Sequence, residues 1–277
     1  MPHAAQPNPQ PTPQLHHEID GPHNAPLLIL GPSLGTSTKV WQPQIEALAE
    51  RFRTVRFDIP GHGKSPSDVL PEAEQGRTLT MADLAQRVIE LADQYGRRTF
   101  HYAGISIGGA IGALIAVHHP NRIESLAMIA SAPRFGDPER WTQRAELVRR
   151  EGTAPLIDAA PGRWFSDPAV ATTPHGAELI DDLRNADPAG YAACCDAIAS
   201  YDLRSDLSKI KAPALIVAGS RDVATPPDAA EVLATGIDSA ALVTIDSGHI
   251  ASAEEAPALT ACLLAHVRAV SAANAHS

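Results

Sequence analysis

The pentapeptide Gly104-Ile105-Ser106-Ile107-Gly108 sets one serine between two glycines, with the apolar run RTFHYAG before it and a helix-like run, Ile107 to His118, after it. Glycine inside a helix costs about 0.5–1 kcal/mol relative to alanine, and Gly108, Gly109 and Gly112 tolerate that cost within a few residues. A G-x-S-x-G pattern between a strand and a helix is the signature of a nucleophile elbow, in which the serine sits on a strained turn with its hydroxyl exposed. The glycines are then required because a side chain at either position would strike neighbouring backbone. The helix beginning at Ile107 would aim its N-terminal amides and positive dipole end at the same spot. The competing interpretation is a glycine-rich turn with a helix-capping serine.

A serine hydroxyl attacks only when a base takes its proton, so a histidine oriented by a carboxylate is the next requirement. Serine, then acid, then histidine is the chain order that goes with such an elbow. Of the twelve histidines, most precede Ser106 or fall inside helices, and His249 in DSGHIA directly follows the last strand-like segment. The acid should end the preceding strand, where GSRDVATPP offers Asp222 just beyond ALIVAG. Its rivals are Asp228, placed as an N-terminal helix charge, and Asp246, at the end of its own strand.

The oxyanion of a tetrahedral intermediate needs fixed N–H donors. Ile107, following the nucleophile, supplies one. The second is expected from the loop LILGPSLGTSTKVW; Pro32 has no N–H to give, and Leu34 follows the strand by the expected few residues, with Ser33 as the alternative and its hydroxyl as a substrate-orienting group.

These residues need a scaffold that brings loop ends together. The strand-like segments are LHHEID, PLLILG, TVRFDI, RTFHYAG, RIESLAMIA, APALIVAG and ALVTID. Between them lie helical patterns over Trp41 to Arg51, Thr80 to Tyr95 and Ile107 to His118, one after TPPD, and a closing helix through Leu263, Leu264 and Val267. In the Thr80 to Tyr95 helix, Leu84, Val88 and Leu91 recur at helical spacing. Alternating strands and helices imply an α/β fold with a mostly parallel sheet covered on both faces. From Arg134 to Ser205 no strand pattern occurs, and Asp137-Pro138 and Asp187-Pro188 read as helix starts, an N-cap followed by proline. The resulting division is a proline-rich leader over 1–14, expected to be disordered, a core over 15–133 and 206–277, and a helical cap over 134–205.

The chain has 277 residues, 44% of them hydrophobic, and a formal net charge of −10. No basic patch marks a nucleic-acid surface. No apolar run approaches the roughly 20 residues of a membrane span, and the start lacks a signal-peptide pattern, so the expected location is cytoplasmic. The three cysteines, Cys194, Cys195 and Cys262, form neither a disulfide framework nor a metal spacing. Nothing in the sequence fixes an oligomeric state.

GISIGG, DIPGHGKS, GSRDVATPP and SGHI, in that order, resemble the α/β-hydrolase superfamily. GPSLGTSTKVWQPQ, GRWFS, DPAGYAACCDAI and DLR narrow the resemblance to 3-oxoadipate enol-lactonases of the β-ketoadipate pathway, over about Pro26 to Val267. The chain departs from that family at Pro32, where a polar residue is common, and at Pro60, where an arginine often stands. The resemblance implies an α/β-hydrolase fold and opening of an enol-lactone ring by Ser106, His249 and Asp222 without metal or organic cofactor. It also implies an anionic small-molecule substrate, held by a cation among Arg163, Arg134 and Lys39, with Trp141 and Trp164 as walls. Arg163 is preferred, because arginine can grip a carboxylate bidentately. The rival assignments are a general carboxylesterase or cofactor-free perhydrolase with the same triad, and a non-catalytic binding protein of the same fold.

Overall fold

The computed structural model describes residues 14–70, 74 and 76–274; the proline-rich leader falls, but for residue 14, outside them. The core strands are β1 (His17–Asp20), β2 (Leu27–Gly31), β3 (Arg53–Phe57), β4 (Phe100–Ile105), β5 (Ile123–Ile129), β6 (Ala214–Gly219) and β7 (Ala240–Ile245). They form a seven-stranded sheet in the order β1-β3-β2-β4-β5-β6-β7. Only β1 runs antiparallel, against β3. Strands β2, β4 and β6 are buried along their whole length, as expected of parallel strands covered on both faces.

The covering helices are α1 (Gln42–Ala49), α2 (Met81–Asp93), α3 (Ile107–His118), α9 (Pro227–Gly236), α10 (Ala251–Glu254) and α11 (Ala256–Asn274). α2 packs on α3 and α1 on α11. Sequence and structure agree on the order of these elements and differ at their ends. The helix expected from Trp41 begins at Gln42, because Ser37 to Trp41 instead makes a 3-10 turn capped by the Ser37 side chain. Trp41 is fully buried there, and its indole N–H donates to the Gly31 carbonyl at 2.9 Å.

Register decides where the loops emerge. Gly31 pairs with Gly104, Ile105 with Ile129, and Gly219 with Ile245. The carboxyl ends of β2, β4, β5, β6 and β7 therefore share one edge of the sheet, the edge at which open α/β sheets place ligands.

Between β5 and β6 the described residues contain no strand. This insertion holds α4 (Pro138–Glu151), α5 (Ala154–Ile157), α6 (Ala160–Trp164), α7 (Pro174–Asn185) and α8 (Pro188–Ala199). Asp137 and Asp187 cap α4 and α8 through their side chains, each with proline next. α8 docks on the PGHG turn that follows β3. The Asp187 amide donates to the Gly61 carbonyl at 2.7 Å, and a Cβ on Gly190 would lie 2.5 Å from Gly61 Cα. His62 stacks on Tyr191 with ring centroids 5.5 Å apart. Cys194 and Cys195 are buried on α8 and unbridged, and burial pushes the Cys195 thiol up to about 12.

Candidate active site

Ser106 occupies the junction of β4 and α3 with φ 55° and ψ −117°, a region that costs a non-glycine residue of order 1–3 kcal/mol. The turn is held from several sides. Ser106 N donates to Ile129 O at 2.8 Å, Ser131 Oγ to Ser106 O at 2.8 Å, and Tyr102 hydroxyl to Gly108 O at 2.9 Å. A Cβ on Gly104 would lie 2.2 Å from the Gly108 carbonyl carbon, and one on Gly108 2.6 Å from Pro32 O. The glycines are thus sterically obligatory. The Ser106 side chain does not cap α3, so the capping alternative fails.

Asp222, three residues past β6, is buried and saturated with donors. Its Oδ1 accepts from the amides of Ala224 (2.7 Å) and Thr225 (3.0 Å), an Asx-type turn. Its Oδ2 lies 2.8 Å from His249 Nδ1 and 2.6 Å from Thr225 Oγ1. Burial raises the affinity of this carboxyl for a proton. The charge of His249 and the hydrogen bonds from His249 and Thr225 outweigh it, and the net shift is downward. The rival carboxylates lie elsewhere: Asp246 binds Ser220 Oγ and Arg221 Nε, and Asp228 stands in the first turn of α9.

With Nδ1 committed to Asp222, His249 keeps Nε2 for the cavity that it lines together with Ser106. No hydrogen bond joins Ser106 to His249 among the described residues, a spacing that in unliganded sites commonly tightens only with substrate. The histidine loop is tied to the insertion: Ile250 N donates to Trp164 O at 3.0 Å, and Glu254 accepts from Gly248 N at 2.6 Å and Ser166 N at 2.9 Å.

Leu34 and Ile107 flank the serine at the ends of β2 and β4. Among the described residues, neither amide donates to a protein acceptor. Ser33 and Leu34 both line the cavity, and Pro32 contributes as an acceptor, taking the Gly108 amide at 3.1 Å.

The cavity has a volume of about 100 Å³, and the insertion supplies most of its wall, including Trp141, Arg144, Arg163, Trp164 and Tyr191. Of the cations singled out in the sequence, only Arg163 is there. Arg134 does not line the cavity; Asp202, whose carboxyl is held low chiefly by its hydrogen bond from Arg204, feels the Arg134 charge only weakly. Lys39 is engaged with Asp182 at 2.8 Å, away from the serine.

Sequence reasoning missed Arg144 and Thr225. Arg144 lies one helical turn after Trp141 on α4, with its guanidinium 4.9 Å from the Trp141 ring centroid. That i, i+3 spacing was the available signal. Thr225 Oγ1 lies within hydrogen-bond distance of Asp222 Oδ2, Ala130 O (2.8 Å) and His249 Nδ1 (3.2 Å). Burial, together with the neighbouring Arg144 charge, pulls the Arg163 pKa down. Neither arginine has a carboxylate partner among the described residues.

The arrangement matches known proteins along most of the chain. The family described as alpha/beta hydrolase fold matches residues 26–256. A 3-oxoadipate enol-lactonase of Acinetobacter baylyi is 32% identical over 242 residues, covering 87% of this chain and 88% of the relative. A putative carbamate hydrolase of Agrobacterium fabrum is 31% identical over 248 residues, covering 84% and 90%. The crystal structure of the enol-lactonase from Burkholderia xenovorans LB400 superposes with a TM-score of 0.85 at 36% identity, covering 92% of this chain and 96% of that one.

Proposed function

The chain belongs to the alpha/beta hydrolase family, and from that premise we propose that it is a serine hydrolase that opens 3-oxoadipate enol-lactone to 3-oxoadipate in aromatic catabolism. Ser106, His249 and Asp222 are its triad, and the amides of Leu34 and Ile107 its oxyanion donors. The observation that carries the substrate class is the pair Arg144 and Arg163. These two guanidiniums, without carboxylate partners among the described residues, line the same cavity as Ser106. Two neighbouring guanidiniums without a close ion-pair partner are stabilised by an anionic ligand, and guanidinium groups match a carboxylate in geometry. The similarity to enol-lactonases supports the same class.

In this reading Ser106 Oγ attacks the lactone carbonyl as His249 Nε2 accepts its proton, while Asp222 holds Nδ1–H and stabilises the imidazolium. The carbonyl oxygen becomes an oxyanion facing the two free amides. Collapse breaks the ring C–O bond and expels an enol oxygen, a better leaving group than an alkoxide, which His249 protonates. The released enol, still tethered through the acyl group, tautomerises to the ketone. Water, deprotonated by His249, then cleaves the acyl-enzyme. Arg144 and Arg163 hold the distant carboxylate throughout, and Trp141, Trp164 and Ser33 shape the approach.

The test is steady-state turnover of the enol-lactone beside p-nitrophenyl acetate, for wild type, Arg144→Met and Arg163→Met. Each substitution should raise KM for the anionic lactone about tenfold or more, the loss of one charge-assisted contact, and leave KM for the neutral ester within a factor of about two. Equal effects on both substrates would remove the carboxylate assignment. No turnover of the lactone by wild type would remove the substrate.

A further inference from the structure

Asp182, on α7, lies outside the cavity, yet it grips the loop that carries the oxyanion donor. Its side chain is 7% exposed. Its Oδ2 accepts from Ser37 N at 3.1 Å and Ser37 Oγ at 2.5 Å, and its Oδ1 from Lys39 Nζ at 2.8 Å. The next residue of the helix, Leu183, presses on the same loop: a Cβ on Gly35, which has φ +88°, would stand 3.0 Å from Leu183 Cδ1 and 3.1 Å from Trp164 Cζ2. The stretch from Leu34 to Lys39 is therefore clamped between the insertion and the sheet, where Thr38 N donates to the buried Asp58 at 2.7 Å. Leu34, Leu183 and Trp164 also line the cavity.

We propose that Asp182 is a positioning residue that couples the seating of the helical insertion to the oxyanion hole, by fixing the loop on which the Leu34 amide is carried. The inference rests on the hydrolase reading given above. A donor contributes to the transition state only if it already points where the negative charge develops. In the unclamped loop the backbone around Gly35 is free to rotate and the Leu34 amide loses its aim. The insertion thereby does two things from one seat: Arg144, Arg163 and the tryptophans wall the cavity, and Asp182 holds the loop whose amide receives the oxyanion.

The experiment compares wild type with Asp182→Ala, Asp182→Asn and Ser37→Ala, using p-nitrophenyl acetate as well as the enol-lactone. Complete loss of one oxyanion donor costs about 10²–10³ in rate, so a misaimed donor in Asp182→Ala should lower kcat about ten- to a hundredfold, with KM within about twofold. Asp182→Asn, which keeps one oxygen acceptor for Ser37, should recover part of the loss, and Ser37→Ala should lower kcat severalfold. Affinity for a phenylboronic acid, which forms a tetrahedral adduct with an oxygen in the hole, should fall in parallel with kcat, while affinity for the planar carboxylate product stays unchanged. Unchanged kcat in Asp182→Ala overturns the proposal. So does a variant that weakens boronate and product equally, which marks general loosening. Should Asp182→Ala not fold, Ser37→Ala reads the same contact, and unchanged kcat there is equally decisive against it. A wild type inert to the lactone but active on the ester removes the substrate reading and leaves the Asp182 comparison intact.

Discussion

At the scale of single residues, the hydroxyl of Thr225 lies beside two members of the proposed triad. Thr225→Val preserves volume and removes the contacts to Asp222 Oδ2, Ala130 O and His249 Nδ1. A buried acceptor left without its donor costs about 1–3 kcal/mol, so urea titration should show a loss of that order. The turnover number should fall about tenfold as the Asp222–His249 pair loses its fixed geometry. A variant with wild-type turnover and lowered stability would assign the hydroxyl to folding alone. Residue types and spacing marked Ser106, Asp222 and His249, because local pattern and chain order carry them. The preference for Arg163 over Arg134 and Lys39 rests on the chemistry of arginine and its place beside Trp164, not on any pattern that fixes position. Which cation faces the serine depends on how the helices between β5 and β6 fold over the sheet edge: Arg163 lines the cavity, Arg134 does not, and Lys39 is engaged with Asp182, and sequence distance does not encode that.

At the scale of elements, the docking of α8 on the PGHG turn buries an imidazole. His62 is 1% exposed, and burial lowers its pKa from 6.5 to about 4, although its hydrogen bond to Pro60 O and the charge of Asp182 act the other way. Between those two values the unfolded chain binds a proton that the folded chain refuses. This contribution to stability is therefore fully present above about pH 6.5 and is lost as pH falls towards 4, by roughly 3 kcal/mol in all. His62→Phe keeps a ring against Tyr191 and has nothing to titrate. Its unfolding free energy should depend less on pH across that window by about the same amount; an equal fall in the free energy extrapolated from denaturant titrations between pH 7 and pH 4.5 in wild type and variant would show that His62 is not the group responsible. Helix starts at Asp137-Pro138 and Asp187-Pro188 were legible because caps are local. The seat of α8 was not: the Gly61–Gly190 approach joins segments far apart in the chain, and neither glycine announces its partner.

At the scale of the whole molecule, a chain of net charge −10 is an unpromising host for an anion. Screening acts over roughly 8–10 Å near physiological ionic strength, so two nearby guanidiniums can dominate at the cavity while the distant carboxylates dominate outside. Raising salt should lower kcat/KM of the wild type for an anionic substrate. In the double variant Arg144→Met, Arg163→Met only the repulsive field remains, and added salt should raise kcat/KM instead; the same sign in both proteins would show that the field at the cavity is not set by these two residues. The alternation of strands and helices made the parallel sheet legible, whereas the antiparallel seat of β1 on β3 rests on pairing that no periodicity announces. The described residues hold two non-glycine positions with positive φ, Ser106 and Ala130, at the carboxyl ends of adjacent strands. A fold relaxed nearly everywhere concentrates its backbone tension where a reaction would occur. Ser106→Gly should accordingly yield an inert protein that survives heating better, by about 1–3 kcal/mol at its melting point. Endurance and reactivity would then pull in opposite directions at a single peptide unit.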